Sequence, residues 1–204
     1  MTETKTYHHG DLRNALITIG LQVLAAEGRQ GLSLRKVARL AGVSHNAPYM
    51  HFEDKEALIS AIAEQGFRQL KLHMDAALQE APQGSVQQLL QLGEAYTTFA
   101  LHHPHSLGVM FGNVEGGGNI QLGEAAGTTF ALLVETVAAG QATGVVRLGD
   151  PKVLATGVWA MMHGVSTLLI AGRLSHALSM GGLQTDLVPV LIKLLYSGLR
   201  AESA

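Results

Sequence analysis

Apolar positions recur every three to four residues through most of the chain, the period of an amphipathic helix, and no run alternates with the period of two that a half-buried strand requires. Leu12, Ala15, Leu16, Ile19 and Val23 make the first stripe, which ends at Gly28. Ser33 stands as N-cap of a short second helix over 34–40, stopped at Gly42. Ser44 is placed to cap a third, very short helix running to His51 or Phe52. Asp54 caps a fourth reaching about Gln79, with Leu58, Ile62, Phe67, Leu70 and Met74 facing inward. Beyond the breaker at 81–85, a helix is predicted from about Ser85 to His103, closed by Pro104, and a shorter stretch leads to Gly112. Residues 112–119 read as a flexible loop. Two long helical segments flank Gly149-Asp150-Pro151, and Gly181-Gly182 precedes a last helix to about Arg200. The expected fold class is all-α, with about nine helices in total.

Composition fits helices packed on helices: 47% of the 204 residues are hydrophobic, 15% are charged and only 5% are aromatic. There is no cysteine, which excludes disulfides, thiolate metal sites and cysteine nucleophiles and suits a reducing cytoplasm. The first dozen residues carry acids and histidines with no apolar run, unlike a signal peptide. Net charge is −2, but it is unevenly spread. Residues 1–52 carry a balance of +3 and the remainder −5, a basic front on an acidic body.

The most specific chemistry lies in Val37-Ala38-Arg39-Leu40-Ala41-Gly42-Val43-Ser44. A helix-turn-helix needs a small residue where its helices cross, here Ala38, and a residue tolerating positive φ four positions on, here Gly42. Val37, Ala41 and Val43 would seal the underside. The second helix then offers His45, Asn46 and Ala47 to base edges in a major groove. Tyr49, His51 and Lys55 fall where a duplex backbone would pass. Lys55 sits in the first turn of its helix, where the macrodipole disfavours a cation unless a phosphate binds there too. Lys5 and Arg13 are further phosphate candidates, in or beside a stretch that otherwise reads as an arm. Pro48 removes an N–H inside a short helix, so distortion of its first turn is expected.

The block from Tyr7 through Leu58 resembles the DNA-binding domain of TetR/AcrR-type regulators. The resemblance rests on Ser33-Leu34-Arg35-Lys36-Val37-Ala38, Ala41-Gly42-Val43-Ser44, Tyr49-Met50-His51-Phe52 and Asp54-Lys55-Glu56-Ala57-Leu58. It implies an N-terminal three-helix DNA-binding domain, residues 1–56, and a helical effector-binding and dimerisation domain, residues 57–204. It further implies a homodimer on a roughly palindromic double-stranded operator, most often as a repressor. By that pattern Tyr49, His51 and Lys55 contact phosphates, and Arg35, His45 and Asn46 are base-contact candidates, with Ser33, Ser44 and Ala47 completing the surface. Relatives more often carry Leu where Pro48 stands.

Residues 153–171 hold no charged side chain and approach the length of a membrane span. Gly157, His163, Gly164, Ser166 and Thr167 dilute the segment, and no second such segment or basic flank is apparent, so the expectation is no membrane and a helix buried on two sides. Leu187, Val190, Leu191, Leu194, Leu195 and Leu199 form another wide stripe. Paired across a two-fold axis, these two C-terminal helices would make a four-helix dimer interface.

Trp159-Ala160-Met161-Met162-His163-Gly164 resembles a Trp-x-x-x-His-Gly signature of one TetR-type C-terminal subfamily. Trp159 and His163 share a helical face. Two readings stay open: they are core, or they wall an effector pocket lined also by Tyr96, Phe99, Met110, Phe111 and Met162. His102-His103-Pro104-His105 lacks convergent carboxylates and is broken by proline, so no metal or other cofactor is expected. No phosphate loop, nucleophile elbow or paired carboxylates mark an enzyme. The alternative to a regulator is a helical homodimer with a small-molecule or metal-binding role and no operator.

Overall fold

The computed structural model describes residues 9–79, 81–112, 119–174 and 187–200. Among these the chain is helical without strands: α1 His9–Gly31, α2 Leu34–Leu40, a 3-10 turn Ala47–Met50, α3 Lys55–Leu78, α4 Val86–His102, α5 Pro104–Met110, α6 Ile120–Ala142, α7 Pro151–Ile170 and α8 Leu187–Leu199. A single isolated bridge joins Val146 and Arg200. Lys5, most of the Gly112–Asn119 loop and Gly181-Gly182 lie outside the described residues.

Ser33 and Asp54 cap their helices as expected, and Ser85 and Asp150 do so as well. Ser33 Oγ accepts from Lys36 N–H at 3.2 Å, Asp54 Oδ1 from Ala57 N–H at 2.8 Å, Ser85 Oγ from Gln88 N–H at 3.2 Å, and Asp150 Oδ1 from Lys152 N–H at 2.8 Å. Each satisfies an amide that the first helical turn leaves without a partner. Leu58, Ile62, Phe67, Leu70 and Met74 of α3 are all buried.

The first helix breaks at Gly28 as expected: that residue leaves the helical region with φ 68° and ψ −172°, and a separate turn runs on to Gly31 beyond the kink. Two expectations need correction. The third helix is not an α-helix but a 3-10 turn, with Asn46 rather than Ser44 at its cap position and no side-chain capping bond. Pro48 explains this, since it lacks the N–H that Ser44 C=O would receive in an α-helix. Ser44 C=O accepts from Ala47 N–H instead, at 3.0 Å. Finally, 153–171 is not alone, because α6 as well as α7 is long and apolar enough to cross a membrane by length and composition.

The chain divides into two compact units. One holds residues 1–67 and 105–124, the other 68–104 and 125–204, and the division falls inside α3. In the first, Leu16, Ile17 and Val23 of α1 close with Leu34 and Val37 of α2, Phe52, and Leu58, Ile59 and Ile62 of α3 around one core. In the second, α4 packs against α7 and α8. Leu92, Tyr96, Val158, Met162, Ile192 and Leu199 are buried there. Gly93 permits the close approach, because a Cβ there would lie 3.3 Å from Ile192.

Candidate nucleic-acid interface and effector site

The turn after α2 is closed by backbone geometry. Gly42 adopts φ 69°. Its N–H donates to Arg39 C=O at 3.2 Å, and Val43 N–H reaches back to Ala38 C=O at 3.1 Å. These are the paired bonds of a Schellman motif, which end a helix on a left-handed residue. Ala38 and Val37 are buried beneath it. Pro48 is fully buried too, so the 3-10 turn is anchored to the core by the residue that shapes it.

With Pro48 and Phe52 inward, the other side of the turn is open. Ser44, His45 and Asn46 are exposed, Ala47 is half-buried, and Tyr49 is 50% exposed. His51 is half-buried beside Phe52, with ring centroids 6.3 Å apart. In a 3-10 helix residues three apart eclipse. Asn46 therefore aligns with Tyr49, and Ala47 with Met50. Met50 on this segment is 81% exposed and Leu40 at the end of α2 54%, two apolar side chains that periodicity did not single out. An α-helical register hides the alignment of Met50 with Ala47.

The cations separate into two groups. Arg29 is paired with Glu56, Lys36 with Glu27, and Arg13 lies 3.9 Å from Glu64 with its guanidinium 5.7 Å from the Phe52 ring centroid. Arg13 is thereby turned to its own core. Arg35 and Arg39 are exposed, and with half-buried Lys55 they make no ion pair among the described residues. Of the acids beside Lys55, Glu56 is taken by Arg29 and Asp54 caps α3, while Glu53 is exposed. Ser33 uses its oxygen as a cap acceptor and keeps its O–H to donate.

In the second unit Tyr96, Trp159 and His163 come together. Tyr96 OH lies 2.8 Å from His163 Nδ1, and it is also hydrogen-bonded to Trp159. The indole N–H can only donate, so the phenol accepts from Trp159, and toward His163 Nδ1 it donates or accepts according to the imidazole tautomer. Burial pushes the Tyr96 phenol well above its ordinary range, partly offset by the indole bond, and lowers the His163 imidazole below its ordinary value. Both groups are therefore neutral at physiological pH. Phe130 meets Trp159 edge-on at 6.3 Å, an aromatic partner that the sequence reading did not include. Trp159 and His163 are half-buried rather than sealed in the core.

The remaining pocket candidates are distributed differently. Phe99 is buried between His73 and His103, at centroid distances of 6.4 and 4.8 Å. Met162 lines a separate cavity of about 20 Å³ with Leu89, Gly93, Val158 and Ile192. Met110 and Phe111 belong to the first unit, where Phe111 packs edge-on against Phe67 at 5.3 Å. Among the described residues no group of three His, Asp or Glu side chains is placed to hold a metal ion.

Comparison with known proteins adds sequence and fold relationships. The family model described as bacterial regulatory proteins, tetR family, matches residues 16–62, and the tetracyclin repressor-like C-terminal domain model matches residues 89–188. Tetracycline repressor protein class C of Escherichia coli is 42% identical over 52 residues, 26% of this chain and 24% of that protein. The chain thus spans about a quarter of the length of the repressors it matches in sequence. A protein of unknown function from Rhodococcus sp. RHA1 has a structure similar over 96% of this chain and 99% of its own, with TM-score 0.82 and 37% identity. AibR, solved in complex with isovaleryl coenzyme A and operator DNA, shares the fold at TM-score 0.63 and 16% identity, over 76% of this chain and 85% of its own.

Proposed function

Because the chain belongs to the TetR family of bacterial regulatory proteins, we propose that it is a cytoplasmic repressor that binds a roughly palindromic operator as a homodimer and is controlled by a small-molecule effector. The observation that carries the reading is the Schellman-closed turn at Gly42 with an outward 3-10 segment behind it and, around it, Arg35, Arg39 and Lys55, which make no ion pair among the described residues. In this reading residues 1–56 read DNA, and residues 57–204 bind the effector and the partner subunit. Asn46 and His45 meet base edges, with Arg35, Ala47 and Ser44 beside them, while Tyr49, His51, Lys55 and Ser33 bind phosphates.

The dimer forms through α7 and α8. Val153, Met161 and Leu168 of α7 and Val190 and Leu194 of α8 are exposed apolar residues, and Gly157, Gly164 and Gly198 have open space where a Cβ would stand. A partner helix can approach such a face closely, and its cover accounts for the apolar length of α7 without a membrane. The effector site is assigned to Tyr96, Trp159 and His163, with Phe130 as an added wall, and Trp159-x-x-x-His163-Gly164 marks the subfamily. AibR, bound to both an acyl coenzyme A and operator DNA, supports this two-site logic. No catalytic step is assigned.

The test is a fluorescence-anisotropy titration against DNA from upstream of the chain's own gene, repeated across salt. Specific binding should weaken steeply as salt rises. Absence of any site preferred over random duplex at low salt refutes the regulator reading.

A further inference from the structure

A second concave site lies in the C-terminal unit, away from Tyr96, Trp159 and His163 in its lining. It is a cleft of about 400 Å³ between the C-terminal end of α3, the 81–85 loop and α6, and its lining includes Asp75, Gln79, Gln83, Glu135, Thr136 and Ala139. That volume is in the range of small-molecule sites, roughly 300–1,000 Å³.

The cleft is held open by its frame. Buried Gln88 uses both ends of its amide, donating to Leu78 C=O at 3.1 Å and accepting from Gly84 N–H at 2.9 Å, so it ties α3 to the loop. Gly84 adopts φ 70°, and a Cβ there would lie 2.7 Å from Ala139 C=O. Thr143 Oγ1 donates to Gly84 C=O at 2.6 Å, fixing the loop on α6. A wall braced on two helices is pre-organised, which lowers the ordering cost of binding.

The two charged side chains lining the cleft are both acidic. Glu135 is exposed and makes no ion pair among the described residues. Asp75 engages Lys71 through Oδ2 at 2.7 Å, and among the described residues no hydrogen bond engages its Oδ1. The side-chain amides of Gln79 and Gln83 offer further acceptors. The C-terminal end of α3 adds the negative end of its macrodipole. Among the described lining residues none is basic, and the nearest cation is Lys71 on Asp75 Oδ2. Two carboxylates are too few for a bare divalent cation held by protein ligands, and the volume far exceeds what one ion fills.

We propose that this cleft binds a small aliphatic organic amine, its ammonium groups set between Glu135 and Asp75 and its chain lying along α6. The occupant would bridge α3 and α6 from a place distinct from the Tyr96–His163 site, and the proposal stands whether or not the chain binds an operator.

The test is isothermal titration of the full-length protein with 1,4-diaminobutane and with spermidine at low salt and near-physiological salt. At least one probe should bind saturably with one site per chain. Glu135→Gln should weaken it at least tenfold, Asp75→Asn similarly, and Glu94→Gln, an exposed acid on α4 outside the cleft, should leave it unchanged. Glu135 is solvent-exposed, so its variant retains the fold and decides the matter if Asp75→Asn, which breaks the Lys71 bridge, does not. No saturable heat from either probe overturns the proposal. So does equal weakening by Glu94→Gln, or binding that survives Glu135→Gln undiminished.

Discussion

Replacing Lys55 with alanine tests the phosphate-facing surface most directly. Lys55 opens α3, its neighbour Glu56 is engaged by Arg29, and it makes no ion pair among the described residues. In the free protein it is a cation near the positive end of a helix, so its loss should not lower stability. In the complex it neutralises one phosphate in each subunit. Each phosphate contact contributes about 0.9 to the slope of log affinity against log salt, so a dimer losing two contacts should show a slope shallower by about 1.8. At 0.1 M salt that corresponds to a loss of about 60-fold, and the gap between the parent and Lys55→Ala should narrow about tenfold from 50 to 200 mM. Fluorescence anisotropy with operator and with random duplex, each over a salt series, reads both quantities. The loss should be the same on both DNAs. Lys36→Ala, which removes a lysine already paired with Glu27, should move the slope much less. A gap that stays constant with salt, or that appears on operator alone, refutes the assignment.

Other outcomes follow from the same geometry. Asn46→Ala should change which bases are preferred while leaving the salt slope intact, as read by selection from a randomised duplex pool. Gly42→Ala should cost about 1 kcal/mol in urea denaturation, since φ is 69° but an added Cβ would touch nothing, and Gly42→Asn should recover part of it. His163 has a folded pKa below its ordinary 6.5, so the unfolded chain takes up its proton first as pH falls. Stability should therefore be highest above about pH 6.5 and decline as pH drops through the folded value, and His163→Gln should flatten that decline in thermal melts at pH 7.5 and 5.5. Leu194→Glu, on a residue 62% exposed, should give monomers by light scattering with the helical spectrum retained.

Local signals carried much of the architecture. Ser33 and Asp54 announce helix starts because a cap needs only its own side chain and the next three amides. Gly42 announces the tight turn because few residues tolerate its φ. The 3-10 form of the reading segment was only half legible. Pro48 signals a lost bond, but whether the freed Ser44 carbonyl finds another donor depends on the following backbone. The pocket set was less legible still. Met110 and Phe111 sit on or just after a short helix that starts in one unit and runs into the other, a return that helical periodicity cannot encode. Tyr96 and His163 are 67 residues apart, and nothing local announces their hydrogen bond. The cleft at Asp75 and Glu135 escaped for the same reason.

Burial of Pro48 bears on how such a reader changes over time. The residue that determines the shape of the segment is also the one locked into the core, while Ser44, His45 and Asn46 project without supporting anything beneath them. Substitutions at those three positions should therefore be nearly free of folding cost, so operator preference can drift, or be re-engineered by saturation mutagenesis, on an unchanged scaffold. Pro48 itself is the opposite case: restoring an amide there would invite the α-helical register, rotate every reading side chain at once, and change the whole recognition surface in a single step.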